Sequence, residues 1–410
     1  MGLPRRSPYE RILIVGGGRA GFAAAEGLRG LGYRGELTIL GDEPHRPYDR
    51  TACSKGLLTG LKLPKDVTLP VYEGTSVHWR MGRRAVALDP SGRTVLTNTG
   101  ETFRYDGLVI ATGTRPTVPA GWPEGEPGLH TLHGLDDAMS LRRDLRQAER
   151  VVIVGAGLTG CEAAYAVRSV GRECVLVDSH PQVMTRAIGE RAGWLVTREL
   201  FRDGFVLLLG RRVRSVVRRT GRWRLTLDDG QEIDTDVVVA AFGERPDTEW
   251  LAGAGLDTSD GVLCDEGLRV IGADAVVAAG AVARWPNLRF GASPMRCGAW
   301  IAALEQGRAA ALSLLAGDLA TPLVTLLPRS WSEHGELRIQ SCGRRLPQAE
   351  ETLTLLRPGS REPVRAGVVI TYKVHERLVG MVAINAPHAF TAGMRVMMAA
   401  EPQPEGLAWA

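Results

Sequence analysis

Arg11-Ile-Leu-Ile-Val15 runs into Gly16-Gly-Gly18-Arg-Ala-Gly21, and far along the chain Val151-Val-Ile-Val154 runs into Gly155-Ala-Gly157-Leu-Thr-Gly160. In each stretch an apolar, β-type run feeds a tight glycine turn and then a helix-type segment. Such a turn needs its first glycine to reverse the chain. The second lets backbone approach a pyrophosphate, and the third lets the helix lie close on the strand, so a diphosphate rests on the helix N-terminus. One motif of this kind is common. Two in one chain point to two dinucleotides held together and electron transfer between them, most simply from a nicotinamide to a flavin.

Outward from these turns the order of elements is that of an α/β protein. A helix is expected from about Arg19 to Leu31 and a second strand over Leu37–Leu40, followed by carboxylates at Asp42 and Glu43 where a ribose hydroxyl is expected. Short strands follow between residues 77 and 97. A strand from Tyr105 to Ile110 runs into Ala111-Thr112-Gly113, and a Pro/Gly-rich linker runs from Pro116 to Gly128. The second unit has a helix from about Leu158 to Val170, a strand over Cys174–Val177 ending at Asp178, and a hairpin between Arg212 and Leu227. A strand from Asp236 to Phe242 then leads to Gly243. Ala275–Ala279 is a further strand and Trp300 to about Leu315 a helix. Gly317–Pro322 marks a boundary before β-type runs and a last helix. The expected architecture is two Rossmann-like dinucleotide-binding domains, the second inserted in the first, plus a small C-terminal α+β domain. The boundaries are 8–115 and 246–322 for the first domain, 116–245 for the second and 323–410 for the third.

Composition excludes several classes. With 44% hydrophobic and 23% charged residues, the chain of 410 residues is that of a globular protein with real cores. No apolar run approaches the roughly 20 residues needed to span a bilayer, and Met1–Pro8 shows no apolar signal-peptide core, so a cytoplasmic protein is expected. Cys53, Cys161, Cys174, Cys264, Cys297 and Cys342 form no metal-ligand spacing and read as reduced thiols. The formal charge is +4, and the only lysines are Lys55, Lys62, Lys65 and Lys373. A lysine is therefore unusual here, and Lys55 stands out. Arg142, Arg143, Arg146 and Arg150, and the stretch Arg211–Arg224, could steer an acidic protein partner. Sparse aromatics and no recognisable motif argue against nucleic acid.

At Gly41-Asp-Glu-Pro-His-Arg-Pro-Tyr-Asp-Arg50 with Ser54-Lys55, the chain resembles the FAD-dependent ferredoxin reductases of the putidaredoxin and rubredoxin reductase type. Ala111-Thr112-Gly113, Arg115, Glu162, Gly243-Glu-Arg-Pro246, Trp300, Glu305-Gln-Gly307, Trp331-Ser332 and Gly380–Pro387 also fit. The resemblance implies FAD in the first domain, NAD(P)H in the second, and single-electron delivery to an iron–sulfur protein. It implies that Lys55 and Glu162 pair beside flavin N5, where an ammonium can stabilise charge building on the reduced ring. FAD is expected against Gly16, Gly18, Gly21, Asp42, Glu43, Arg50, Lys55, Ala111, Thr112, Gly113, Arg115, Gly280, Ala281 and Trp331. The nicotinamide cofactor is expected against Gly155, Gly157, Gly160, Asp178 and Gly243, and Trp300 joins Lys55 and Glu162 as a catalytic candidate. Asp178 would accept from a ribose 2′-OH and repel a 2′-phosphate, which favours NADH over NADPH.

Five departures stand out. Ala281 replaces the aspartate that the family sets against the ribitol of FAD, a loss that backbone N–H groups of the same turn could offset. Thr51-Ala52-Cys53 replaces Pro-Pro-Leu and brings a thiol near the expected flavin; Cys161 precedes Glu162. Both read as small buried apolar residues. Gly298-Ala299 and Glu333-His-Gly335 replace bulkier residues at segments expected to border the flavin pocket, which would leave room for a small substrate. The expected function is electron transfer from NADH through FAD to an acidic 2Fe–2S ferredoxin, in a monomer or homodimer. The alternatives are a flavin oxidoreductase acting directly on a small molecule and a degenerate member that binds nucleotides without turnover.

Overall fold

Alternating apolar strands and amphipathic helices commit this chain to parallel sheets covered on their faces, because each strand is buried on both sides. The computed structural model describes residues 8–71, 76–123, 125–317, 323–356 and 367–400. The N-terminal residues 1–7 and, apart from Gly317, the boundary expected at Gly317–Pro322 lie outside them.

Two five-stranded parallel sheets organise the molecule. The first has the order Val276–Ala278, Gly107–Ile110, Arg11–Val15, Glu36–Gly41, His78–Met81. The second has the order Val206–Leu209, Glu173–Asp178, Arg150–Val154, Val237–Ala240, Leu129–Thr131. The strand Val276–Ala278 pairs in parallel with Gly107–Ile110, so the chain leaves the first sheet, builds the second, and returns. The two passages between sheets, Thr114–Pro116 and Glu244–Pro246, pair with each other as a small antiparallel ribbon. A third five-stranded sheet is antiparallel, in the order Arg329–His334, Leu337–Gly343, Arg377–Ile384, Val368–Val374, Glu350–Leu355. The helix Pro387–Ala399 packs on it.

Both glycine turns work by the same geometry. Gly16 has φ +122° and a Cβ there would lie 2.0 Å from the Ala111 carbonyl oxygen. Gly155 repeats this at φ +112°, with a Cβ 2.2 Å from the Ala241 oxygen. Only glycine takes such a φ with backbone that close. The third glycines let helix meet turn: a Cβ on Gly21 would strike the Gly16 oxygen, and one on Gly160 the Gly155 oxygen.

The helices Arg19–Gly30 and Leu158–Ser169 start as expected, one residue after each second glycine. Two helices were not expected from the sequence: Leu135–Leu145, whose start is held by Asp137 accepting from the N–H of Gly134 at 3.0 Å, and Glu190–Arg202. The helix Trp300–Ala316 lies along Arg19–Gly30 through small residues. A Cβ on Gly307 would sit 2.3 Å from the Ala20 carbonyl oxygen and 2.9 Å from the Ala23 Cβ. Glycine to alanine in a helix ordinarily helps by up to ~1 kcal/mol. Here the overpacking wins, so Gly307→Ala is expected to destabilise by roughly 1–3 kcal/mol, read as a fall in Tm.

Candidate functional site

A cleft of about 680 Å³ opens along the carboxyl ends of the first sheet's strands, where ligands of open α/β sheets bind. The turn Gly16–Gly18 and the start of the next helix form one end. Gly18 has no side chain to cap that helix, and a Cβ there would meet nothing within 4 Å. The first-turn N–H groups therefore face an open cradle suited to a diphosphate. Arg19 lines the same end with its guanidinium carbon 5.1 Å from the Trp300 ring centre.

Of the residues expected to bind FAD, all but Gly21 line this cleft. Gly21 instead makes the helix–turn contact. The expected ribose carboxylates are already in ion pairs. Asp42 accepts from the Arg115 Nη2 at 2.8 Å, and Arg115 Nε donates to Asp247 at 2.9 Å. Glu43 pairs with Arg50 at 2.5 Å and accepts from the Tyr48 hydroxyl at 2.6 Å. Burial alone would raise the Glu43 carboxyl, but the Arg50 charge and the Tyr48 hydroxyl outweigh it and hold the carboxyl below its ordinary range. Tyr48 in turn accepts from the Leu135 N–H at 2.9 Å and so ties this loop to a helix of the second unit.

Ala281 lines the cleft beside Gly280. The Gly280 N–H donates to Gln306 Oε1 at 2.6 Å, which removes that donor from the backbone groups expected to replace the missing aspartate.

The floor of the cleft is a buried carboxylate held by three units of the fold. Lys55 Nζ lies 2.6 Å from Glu162 Oε2 and also donates to the Thr51 carbonyl at 3.2 Å. Ser54 gives its hydroxyl hydrogen bond to the same carboxylate oxygen, and Ser332 gives its own to Oε1. Lys55 and Ser54 come from a loop of the first unit. Glu162 comes from the helix that follows the second glycine turn, and Ser332 from the antiparallel sheet. Glu162 is 8% exposed and Lys55 faces the cleft, so the negative charge is inside and the ammonium is presented outward. Trp300 and Trp331 line the same region.

Gly155, Gly157, Gly160, Asp178 and Gly243 stand apart from this cleft, on the second sheet and the crossover. Asp178 accepts from the Ala156 N–H at 2.5 Å and from the His180 N–H at 2.7 Å. Each oxygen keeps a second lone pair for a ribose hydroxyl. The Gly243 carbonyl accepts from Thr117 at 2.9 Å, beside the strand crossover.

One expectation is corrected. Gly298, Ala299 and Trp300 border the cleft, but Glu333-His334-Gly335 does not. Strand alternation turns Ser332 and His334 inward, where both are buried, while Gly335 packs on Tyr165. Ser332 was not expected as a partner of Glu162, and His334, expected at the cleft, lies behind it. Their signal was two polar side chains spaced by two in a strand, which puts both on one face. The thiols behave as packing. All six cysteines are free and buried, and burial pushes the Cys53 thiol up to about 12 and raises Cys161 well above its ordinary value.

Two parallel sheets, each with a glycine turn at its helix N-terminus, and a C-terminal antiparallel layer define the fold of the FAD- and NAD-linked oxidoreductases. The chain belongs to the pyridine nucleotide-disulphide oxidoreductase family, which matches residues 10–307. It is 31% identical to the biphenyl dioxygenase system ferredoxin–NAD(+) reductase component of Paraburkholderia xenovorans, over 96% of this chain and 99% of that protein. It is 30% identical to a rubredoxin–NAD(+) reductase of Pseudomonas putida, over 92% and 96% of the two chains. Among solved structures it is similar to the ferredoxin reductase for the CYP199A2 system from Rhodopseudomonas palustris, with TM-score 0.85, 26% identity and coverage of 97% and 98%.

Because a thiol titrating at about 12 is almost wholly protonated at neutral pH, Cys53 should resist alkylation in the native protein from pH 6 to 9 and react only after unfolding. Peptide mass spectrometry after iodoacetamide treatment reads this directly. Modification of Cys53 in the folded protein at neutral pH would mean a thiolate that packing does not explain.

Proposed function

We propose that this protein is an FAD-dependent oxidoreductase that takes reducing equivalents from NADH and passes electrons to a ferredoxin-type iron–sulfur protein. The observation that carries the reading is the Lys55–Glu162 pair at 2.6 Å. It joins the loop beside the first dinucleotide cradle to the helix that opens the second. Such a joint belongs where two cofactors must meet.

The residues present fit FAD. The uncapped helix start at Gly18, the open space above it and the lining from Gly16 to Trp331 form a continuous cradle. Bound there, FAD would accept two electrons together from the nicotinamide and release them one at a time. The protein's share is positional and electrostatic. Lys55 presents its ammonium to the cleft while Glu162, Ser54 and the Thr51 carbonyl fix the side chain. Arg19 adds positive charge at the diphosphate end. Asp178 holds the glycine turn of the second sheet through Ala156 and offers its remaining lone pairs to the 2′-OH of NADH. Its charge opposes a 2′-phosphate. In this reading 8–115 and 246–322 hold FAD, 116–245 holds NADH, and the third domain, 323–410, brings Arg329, Ser330 and Trp331 to the cleft.

The partner we infer is an acidic 2Fe–2S ferredoxin. Arg142 packs its guanidinium over Gly60, and Arg143 lies on the same exposed helix end, near the loop that carries Lys55. Both basic stretches are paired in part, Arg143 with Asp144 and Arg150 with Glu173 in the first. Arg211, Arg218, Arg222 and Arg224 are paired with Asp229, Glu126, Asp236, Glu232 and Asp234. No helix among the described residues is long and apolar enough to cross a membrane, and a cytoplasmic monomer or homodimer fits the reading. A second reading, direct action on a small molecule, rests on Gly298, where a Cβ would meet nothing within 4 Å beside Trp300.

The test is NADH oxidation by the FAD-loaded protein coupled to ferredoxin-dependent cytochrome c reduction. Turnover that requires the ferredoxin, with a higher kcat/KM for NADH than for NADPH, is expected. Turnover indifferent to ferredoxin favours the small-molecule reading, and a preference for NADPH overturns the role of Asp178.

Lys55→Met keeps much of the side-chain volume and removes the charge. Flavin reduction by NADH, followed by stopped-flow absorbance, should slow by roughly 10–100-fold, the worth of one charged hydrogen bond. An unchanged rate would remove Lys55 from the site.

A further inference from the structure

Behind Glu162, on the side away from the cleft, lies a fully buried histidine that the proposed electron transfer does not itself use. His334 Nε2 is 2.8 Å from Ser332 Oγ. Ser332 is 1% exposed and His334 is 0% exposed. The Ser332 hydroxyl is hydrogen-bonded to Glu162 Oε1, while Ser54 and Lys55 occupy Oε2.

Proton counting fixes the direction of this chain. A serine hydroxyl has one proton. Ser332 spends it on the carboxylate, which has none to give. Toward His334, Ser332 can therefore only accept, and the imidazole proton must sit on Nε2. The donors run one way, from His334 to Ser332 to Glu162. The ring itself is held by packing: Tyr165 lies against it with ring centres 5.4 Å apart, and the Tyr165 hydroxyl donates to Asp203 at 2.7 Å. Gly335 leaves the room Tyr165 needs, since a Cβ there would come 3.0 Å from the Tyr165 ring.

We propose that His334 is a positioning residue of the site: as the neutral Nε2–H tautomer it locks the Ser332 hydroxyl onto Glu162, and so fixes the direction from which Glu162 holds Lys55. This rests on the proposed role of the Lys55–Glu162 pair. Without the His334 donor, Ser332 is free to rotate away, and Glu162 Oε1 loses its hydrogen bond from Ser332. The carboxylate can then turn, and Lys55 with it. His334 touches neither the cleft nor a cofactor, so its effect appears in the placement of the ammonium and leaves nucleotide affinity alone.

Neutrality is consistent with the surroundings. The charged groups facing the ring are Glu162, which favours the imidazolium, and Lys55, which opposes it; burial dominates and pushes the histidine down to about 4.

Two measurements test the proposal. The first uses the unmodified, FAD-loaded protein labelled with 15N-histidine. His334 should give the neutral Nε2–H pattern from pH 5.5 to 8 with no titration, and the resonance is assigned by its absence in His334→Gln. A proton on Nδ1, or titration near pH 6.5, would overturn the proposal, because Ser332 would then donate to the ring or face a charged imidazolium. The second compares His334→Gln, which keeps a donor at this depth, with His334→Leu, which does not. We expect His334→Leu to slow flavin reduction by roughly tenfold at saturating NADH, the worth of one hydrogen bond to a charged group, with KM for NADH unchanged. The flavin midpoint potential should also move, and His334→Gln should restore both. Equal loss in both variants, or a change in KM alone, would overturn the positioning role. If Lys55→Met leaves flavin reduction unchanged, the reading of the pair has failed, whereas a slow Lys55→Met beside a normal His334→Leu means that only the role of His334 has failed. Should His334→Leu not fold, the tautomer measurement decides.

Discussion

A carboxylate removed from water must be surrounded by donors, and Glu162 meets this demand with groups from two distant parts of the chain, Ser54-Lys55 and Ser332. Breaking one side of a buried charge pair typically costs about 3–5 kcal/mol, because the remaining charge is left uncompensated. That penalty makes the Lys55–Glu162–Ser332 junction more than a local contact. The loop from the first sheet, the helix from the second and the edge strand of the antiparallel sheet must all be in place for the carboxylate to be satisfied. The ammonium in the cleft is therefore positioned by the whole arrangement of the fold.

Around this junction the molecule repeats one device. Each parallel sheet ends a central strand in a glycine turn, and each turn feeds a helix whose start carries no side-chain cap. The two copies differ in what surrounds them. The first opens into a large cleft bounded by small residues of the return segment and of the helix Trp300–Ala316. The second is tied down by Asp178, which accepts from the turn itself. The charged rim of the cleft is already paired internally through Arg115 with Asp42 and Asp247, and Arg50 with Glu43. The Arg115–Asp247 pair also joins the two passages that link the sheets, beside their antiparallel ribbon.

The departures from the family pattern fall into three kinds. Cys53 and Cys161 are small apolar packing elements whose burial suppresses thiolate formation. His334 and Gly335 go together: the glycine makes room for Tyr165, and the tyrosine holds the imidazole that backs Ser332. Ala281 remains a loss without a side-chain replacement, and the neighbouring Gly280 N–H is spent on Gln306.

Local signals in the sequence determined the two glycine turns, their strands and helices, and the return strand at Val276–Ala278, because period, turn chemistry and buried apolar runs act over a few residues. They also marked Lys55 and Glu162, through flanking motifs. The helices Leu135–Leu145 and Glu190–Arg202 were not expected although both are amphipathic, because neither follows a glycine turn or a recognised motif. Only the tertiary structure decided the partners of the buried charge. Ser54 and Ser332 are 278 positions apart in number and carry no shared motif, yet desolvation draws both onto one carboxylate. Likewise His334 was expected at the cleft, and the alternation of its strand placed it behind the site. Which side of a strand faces a cavity depends on what packs across it, and that is fixed by contacts between units rather than by any stretch of sequence.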